Sequence, residues 1–176
     1  MKGLIKEDML ERIRLLDERA NLEFEGDSRF QLVIVGGGAL ILRGYISRTT
    51  DDIDILGAPS RLNRLMEKYD MNGNVNAFMD YFPFNYGDRL VHLWSGEKID
   101  VYTASLEDIL IAKLCSFRAG DLADAELVAE YVDWSILDTL AHDEQELKYS
   151  ILSESRYAEF LLDYKEFESR FRKCEN

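Results

Sequence analysis

Residues 32–56 read LVIVGGGALILRGYISRTTDDIDIL, and this stretch decides the fold. An apolar run, Leu32 to Val35, meets three glycines, Gly36 to Gly38. A short amphipathic stretch follows, and Arg48, Thr49 and Thr50 lead into Asp52-Ile53-Asp54. Glycines placed after a strand let the backbone approach a ligand closely. Residues two apart on a strand share a face. Asp52 and Asp54 are therefore expected to project together, with Ile53 and Ile55 turned to the core. Two carboxylates on one face repel each other unless something positive sits between them, and a divalent metal is the usual reason to build such a pair.

Working outward, residues 5–23 carry Ile5, Met9, Ile13, Leu16 and Ala20 near helical spacing. Gly26-Asp27-Ser28 breaks that helix. Residues 30–35 are expected as a buried strand, 38–45 as a short helix and 52–56 as a second strand ended by Gly57 and Pro59. Ser60 to Tyr69 reads as helix, and Asn72-Gly73-Asn74 as a loop. Short strands are expected around 75–79 and 89–94, in a segment holding Phe78, Tyr81, Phe82, Phe84 and Tyr86. Ser95-Gly96-Glu97 suits a hairpin turn into a strand at 98–103. Ser105-Leu106-Glu107-Asp108 resembles a capping box opening a helix through Phe117. Ala119-Gly120 reads as an interruption, Asp121 as the start of a helix to about Tyr131, and 133–173 as helical by composition. The expected class is α+β: a two-layer α/β domain with a mixed sheet flanked by helices and a helical C-terminus. The expected division is a domain at 1–131 and a helical extension at 132–176.

The 176 residues are 47% hydrophobic, enough to bury a real core, so disorder is not expected. No stretch is apolar enough to span a bilayer, and the charged N-terminus does not resemble a signal peptide. Cys115 and Cys174 have neither CxxC spacing nor a nearby histidine cluster, which suits free thiols in a reducing cytosol. A net charge of −13 does not attract phosphate backbones broadly. The balance favours a small molecule, a nucleotide–metal complex or a protein partner over nucleic acid.

Gly36-Gly37 and Asp52-Ile53-Asp54 are separated by fourteen residues, the length of a helix and a loop. Joined by such a spacer, the two halves suit phosphates held at the glycines and Mg²⁺ held by the carboxylates. A third acid on a neighbouring strand would complete a two-metal site. Asp100, in Lys98-Ile99-Asp100-Val101-Tyr102, is the candidate, since Ile99 and Val101 face one side and Asp100 the other.

The pattern hGG-x-A-L…R-x-[ST]-x-D-I-D, with a later h-D-V strand, resembles the DNA polymerase β-like nucleotidyltransferase superfamily. It is closest to the small bacterial branch of minimal, antitoxin-type and abortive-infection nucleotidyltransferases, and the likeness runs from about Leu32 to Leu127. The resemblance implies that Gly36 and Gly37 touch a triphosphate, that Asp52 and Asp54 bind Mg²⁺, and that Asp100 completes the site and helps deprotonate the acceptor. Arg48 and Thr50 fall where the family places an arginine and a Ser or Thr before the acidic pair. The residue after Gly37 is often Ser or Thr in catalytic members. Here it is Gly38, whose amide must serve instead.

A second constellation is Lys113, Arg118, Asp121 and Asp124. Lys113 lies on or beside the buried stripe Leu106, Ile109, Leu110, Leu114 and Phe117, so it must snorkel out or find an anion. The resemblance supplies a nucleotide phosphate. Asp121 and Asp124 also suit the N-cap and N3 positions of the next helix. His92 is expected to pack among apolar neighbours, and Arg89 to form a surface ion pair.

The function so implied is Mg²⁺-dependent transfer of a nucleoside monophosphate from an NTP to a hydroxyl acceptor, in the cytoplasm and within a toxin–antitoxin or phage-defence system. The alternative is a non-catalytic antitoxin-like or regulatory protein that keeps the fold and works through a protein partner.

Overall fold

In the computed structural model, residues 3–73, 75, 81–116, 118–148 and 153–173 are described. Their contacts divide the chain into two compact units, Met1–Ala77 with Leu90–Ala104, and Phe78–Arg89 with Ser105–Asn176.

The first unit is built on a five-stranded mixed sheet of order β3-β2-β1-β5-β4. The strands are β1 (Phe30–Ile34), β2 (Ile53–Leu56), β3 (Met71–Asn72), β4 (Val91–Ser95) and β5 (Ile99–Thr103). β1 runs antiparallel to β2 and parallel to β5. β2 is parallel to β3, and β4 is antiparallel to β5 with an irregularity between His92 and Trp94. Helix α1 (Lys6–Glu23) buries Met9, Ile13, Leu16 and Ala20, the stripe its spacing predicts. It also buries Asp17, whose carboxylate accepts the backbone N–H groups of Glu97, Lys98 and Ile99 at 2.9, 2.8 and 2.8 Å. Three donors on one carboxylate satisfy the tight β4–β5 turn. Gly96 is required there, because a Cβ would collide with Asp17 and Trp94.

Helix α2 (Gly36–Leu42) starts two residues earlier than expected, and Gly36 takes a left-handed φ of +63°. The 60–69 helix is three short pieces, a 3₁₀ turn at Ser60–Leu62, α3 (Asn63–Met66) and a 3₁₀ turn at Glu67–Tyr69. Asp70 then reverses the chain with φ of +53°, and Met71-Asn72 forms β3, where Asn72 was expected to open a loop. The strand expected at 75–79 falls, beyond Val75, outside the described residues, as does Phe78.

The second unit is helical. It contains α4 (Leu106–Ser116), α5 (Ala119–Val128), α6 (Trp134–Ala141) and α7 (Glu154–Phe171). α4 packs against α5, α6 and α7. Its core includes Ile109, Leu110, Leu114, Leu137, Phe160 and Tyr164. The Ser105 hydroxyl accepts the Asp108 N–H at 3.0 Å and donates to the Asp108 carboxylate at 2.8 Å, so the predicted cap is real. Arg89 reaches the same fully buried carboxylate through two bonds of 3.0 and 2.7 Å. It is a bidentate pair with one buried partner rather than a surface contact. Ala119-Gly120 does not interrupt a helix, since both residues form the first turn of α5 after Arg118 at its N-cap.

Candidate functional site

The antiparallel register of β1 and β2 places Val33 opposite Leu56 and Ile34 opposite Ile55. The next pair up is Val35 with Asp54, joined by the Val35 N–H to the Asp54 carbonyl at 3.0 Å. The glycine turn and the acidic pair thus meet at one end of the sheet. A Cβ on Gly36 would stand 3.3 Å from Asp54 Oδ2, so the glycine backbone lies directly against that carboxylate. Its left-handed φ also favours glycine. Gly36 and Gly37 are half-buried, as are Asp52 and Asp54.

The approach to the pair is pinned from two sides. Leu4 and Thr50 exchange backbone hydrogen bonds of 2.6 and 3.1 Å. The Thr50 hydroxyl donates to the Asp52 carbonyl at 3.1 Å, so Thr50 shapes the segment through its backbone. Arg48 is exposed in the preceding loop, with its guanidinium 3.4 Å from the Thr49 carbonyl. Burial raises the Asp52 pKa above the ordinary carboxylate value, and the nearby charges of Asp51 and Asp70 push it the same way.

Gly38 is buried, and a Cβ there would meet Met9 Cε of α1 at 3.1 Å and stand 4.0 Å from the Asp52 carbonyl, so a Ser or Thr would crowd the helix packing. One sequence expectation needs correction. Asp100 does not join the pair. It sits opposite Gln31 in the β1–β5 register, whereas Asp54 sits opposite Val35. Four residues of strand separate the two levels, about 13 Å at roughly 3.3 Å per residue, with a further strand between them. At the level of Asp54 the chain leaving β5 offers Ala104, whose N–H donates to the Ile34 carbonyl at 3.3 Å.

Asp100 instead forms a local network. Arg29 donates to both its oxygens, at 2.8 and 2.6 Å, and the Ser95 hydroxyl donates to it at 2.6 Å. Arg29 also donates to the carbonyls of Gly96 and Glu97. The Arg29 and Ser95 hydrogen bonds lower the Asp100 pKa to about 2. His92 is exposed rather than packed among apolar neighbours, and its Nε2 lies 2.8 Å from the Ser95 hydroxyl.

Lys113, in the helical unit, finds its anion there. Its ammonium bonds Asp121 at 2.7 Å and Asp124 at 2.8 Å and is 4% exposed. Asp121 also accepts from Ser116 and Arg118, both at 2.7 Å. Burial opposes the charged form of Asp121, but the bond from Lys113 leads the effects that together hold its pKa below the ordinary value.

Sequence reading missed Asn72, whose side-chain amide donates to Asp54 Oδ1 at 3.1 Å from the in-register position on β3. A two-residue strand has too little periodicity to be seen, although an Asn beside an apolar Met71 was its one visible trace.

Among the described residues no group of three or more His, Cys, Asp or Glu side chains is arranged to hold a metal. Nor is any helix among them long and apolar enough to cross a membrane. Cys115 is a buried free thiol whose pKa burial pushes up, which leaves it inert as a nucleophile.

A glycine turn set against the strand-borne Asp54 on a mixed sheet, with Asp52 in the bend just before that strand, suits a nucleotidyltransferase-like protein. A family model described as "Nucleotidyltransferase of unknown function (DUF6036)" matches residues 11–172, and the chain belongs to that family. No curated protein and no solved structure matches the chain.

Proposed function

We propose that the sheet-bearing unit binds a nucleoside triphosphate and transfers its nucleoside monophosphate to a hydroxyl acceptor. The observation that carries this reading is the meeting of the Gly36 turn with the Asp54 carboxylate, in a chain of a nucleotidyltransferase family. The acceptor hydroxyl attacks the α-phosphorus in line and gives up its proton to solvent, the bond from that phosphorus to the oxygen bridging to the β-phosphate breaks, and pyrophosphate leaves with the electron pair.

Asp54 on β2 and Asp52 in the bend just before it suit Mg²⁺, which keeps several waters and takes one or two carboxylates alongside substrate phosphates. Among the described residues no third acid is grouped with the pair, so the proposal calls on one ion only. Bound to Asp52 and Asp54, Mg²⁺ would neutralise phosphate charge and polarise the phosphorus for attack. The chain's own residues do the positioning. Gly36 keeps a side chain out of the space beside Asp54, so phosphates approach the backbone there and at Gly37. Arg48 adds the positive charge of the entry loop. Thr50 and the Leu4 bridge fix the turn that delivers Asp52.

Asp54→Asn is expected to abolish Mg²⁺-dependent transfer of labelled nucleotide without unfolding the protein. Full activity in that variant would sink the assignment. One observation favours a second reading, a regulatory or antitoxin-like protein that acts through a partner: the third acid lies four residues away along the strand and is neutralised by Arg29. Calorimetry with ATP, CTP, GTP and UTP plus Mg²⁺ separates the two. Binding of none of them, together with a co-purifying partner, selects the second.

A further inference from the structure

The geometry points to Asn72 as a positioning residue that sets the orientation of the Asp54 carboxylate for a cation; this inference rests on the proposed metal-binding role of Asp54. Asn72 lies on β3, the outermost strand, directly beside Asp54 in the parallel register. Its Nδ2 donates to Asp54 Oδ1 at 3.1 Å. The other oxygen, Oδ2, faces Gly36 at the distance a Cβ would fill. The terminal torsion of an aspartate is soft, so nothing within the residue itself chooses between its two oxygens. The amide on Oδ1 favours the orientation that places Oδ2 on the glycine side, where phosphates approach in the proposed reaction.

The side-chain type fits the task. An asparagine donates a hydrogen bond without bringing charge. A lysine at this position would neutralise the pair and compete with a metal, and an acid would add to the repulsion within it. The backbone beneath Asn72 is also held. The Ile53 N–H donates to the Asp70 carbonyl at 2.9 Å, and Met71 is buried at 3% exposure. Gly73 is packed so closely that a Cβ would stand 2.8 Å from Asn63 Oδ1 and 3.2 Å from Met66 Cε. β3 is only two residues long, yet it is clamped on both sides of Asn72. Hydrogen-bonding partners of metal-ligating groups orient those ligands, and their loss typically costs about 10–100-fold in metal affinity.

The test is Mn²⁺ binding to the full chain without nucleotide, followed by electron paramagnetic resonance, with thermal unfolding measured on the same samples. Wild type is expected to bind Mn²⁺ and Asp54→Asn to lose it. Asn72→Ala is expected to bind about 10–100-fold more weakly with an unchanged melting temperature. Asn72→Gln keeps the amide on a longer arm and is expected to recover part of the loss. Asn72→Ala binding as tightly as wild type, while Asp54→Asn does not bind, overturns the role of Asn72 and leaves the reading of the acidic pair standing. So does a weakening in Asn72→Ala that comes only with a lowered melting temperature and no recovery in Asn72→Gln. Absence of Mn²⁺ binding in wild type overturns the metal reading of Asp54 and this inference with it.

Discussion

Asp54 and Asp100 share one face of the same sheet, at opposite ends of β1, and the chain treats those two ends in opposite ways. Around Asp100 it brings its own cation. Arg29 and Ser95 saturate the carboxylate and hold its pKa down to about 2. Around Asp52, burial and the nearby charges of Asp51 and Asp70 raise the carboxylate's pKa. An acid that is neutralised internally has a structural task. An acid whose surroundings penalise its charge is built at a cost in stability, and such costs collect at functional sites.

The comparison breaks first on activity. Asp54→Asn is expected to lower nucleotidyl transfer by at least about 10³-fold, since it removes a group that acts on charge in the transition state. Asp100→Asn is expected to leave turnover within a few-fold while lowering the unfolding midpoint. Equal losses of activity in the two variants, measured with labelled NTP, would return Asp100 to the site. The next largest effect is on stability and lies in the helical unit. Lys113→Met leaves Asp121 and Asp124 without their buried ammonium and is expected to cost about 3–5 kcal/mol in urea unfolding. Nucleotide affinity of the folded variant should stay unchanged, and a loss of affinity there would give Lys113 a role at the phosphate. Gly36→Ala forces a side chain into a left-handed backbone beside Asp54 and is expected to cost about 1–2 kcal/mol. Transfer should fall further than stability does, as read from rates at matched folded fraction.

The smallest effects are in the pH dependence, and their signs oppose each other. Asp100 has a folded pKa below its unfolded value of about 3.9, so its contribution is complete above that value and is lost as the pH falls toward about 2. Asp52 has a folded pKa above its unfolded value, so its charge weighs against the fold at neutral pH and acidification relieves it. Chemical unfolding across pH 2.5–7 should therefore show Asp100→Asn losing stability at neutral pH and Asp52→Asn gaining it. The same sign for both would erase the contrast.

Much of this is legible in the sequence alone. The apolar run, the glycines and the alternating Asp-Ile-Asp fixed two strands and a turn, because burial patterns with period two are local. The helical stripe also puts Lys113 on a buried face, while its partners Asp121 and Asp124 come from the next helix, which a stripe does not show. What local patterns do not carry is level. Alternation tells which face Asp100 occupies, while its height along the sheet depends on pairing register with β1, a non-local property. Gly38 was illegible for a similar reason: its smallness answers to Met9 of another helix. Asn72 was read as loop because two residues of strand leave no period to detect.

The three amides gathered by Asp17 bear on how the chain comes to be folded. They join the first helix to a hairpin some 80 residues further along, and the parallel β1–β5 pairing spans a similar distance in sequence. Contacts this far apart are slow to form, since the closing of a long loop precedes any gain from them. The hairpin amides of residues 97–99 should therefore exchange with solvent at the rate at which α1 opens. In native-state hydrogen exchange they would mark α1 and the β4–β5 hairpin as one cooperative unit. Asp17→Asn, which keeps the shape but surrenders the charge, should speed the exchange of all three together.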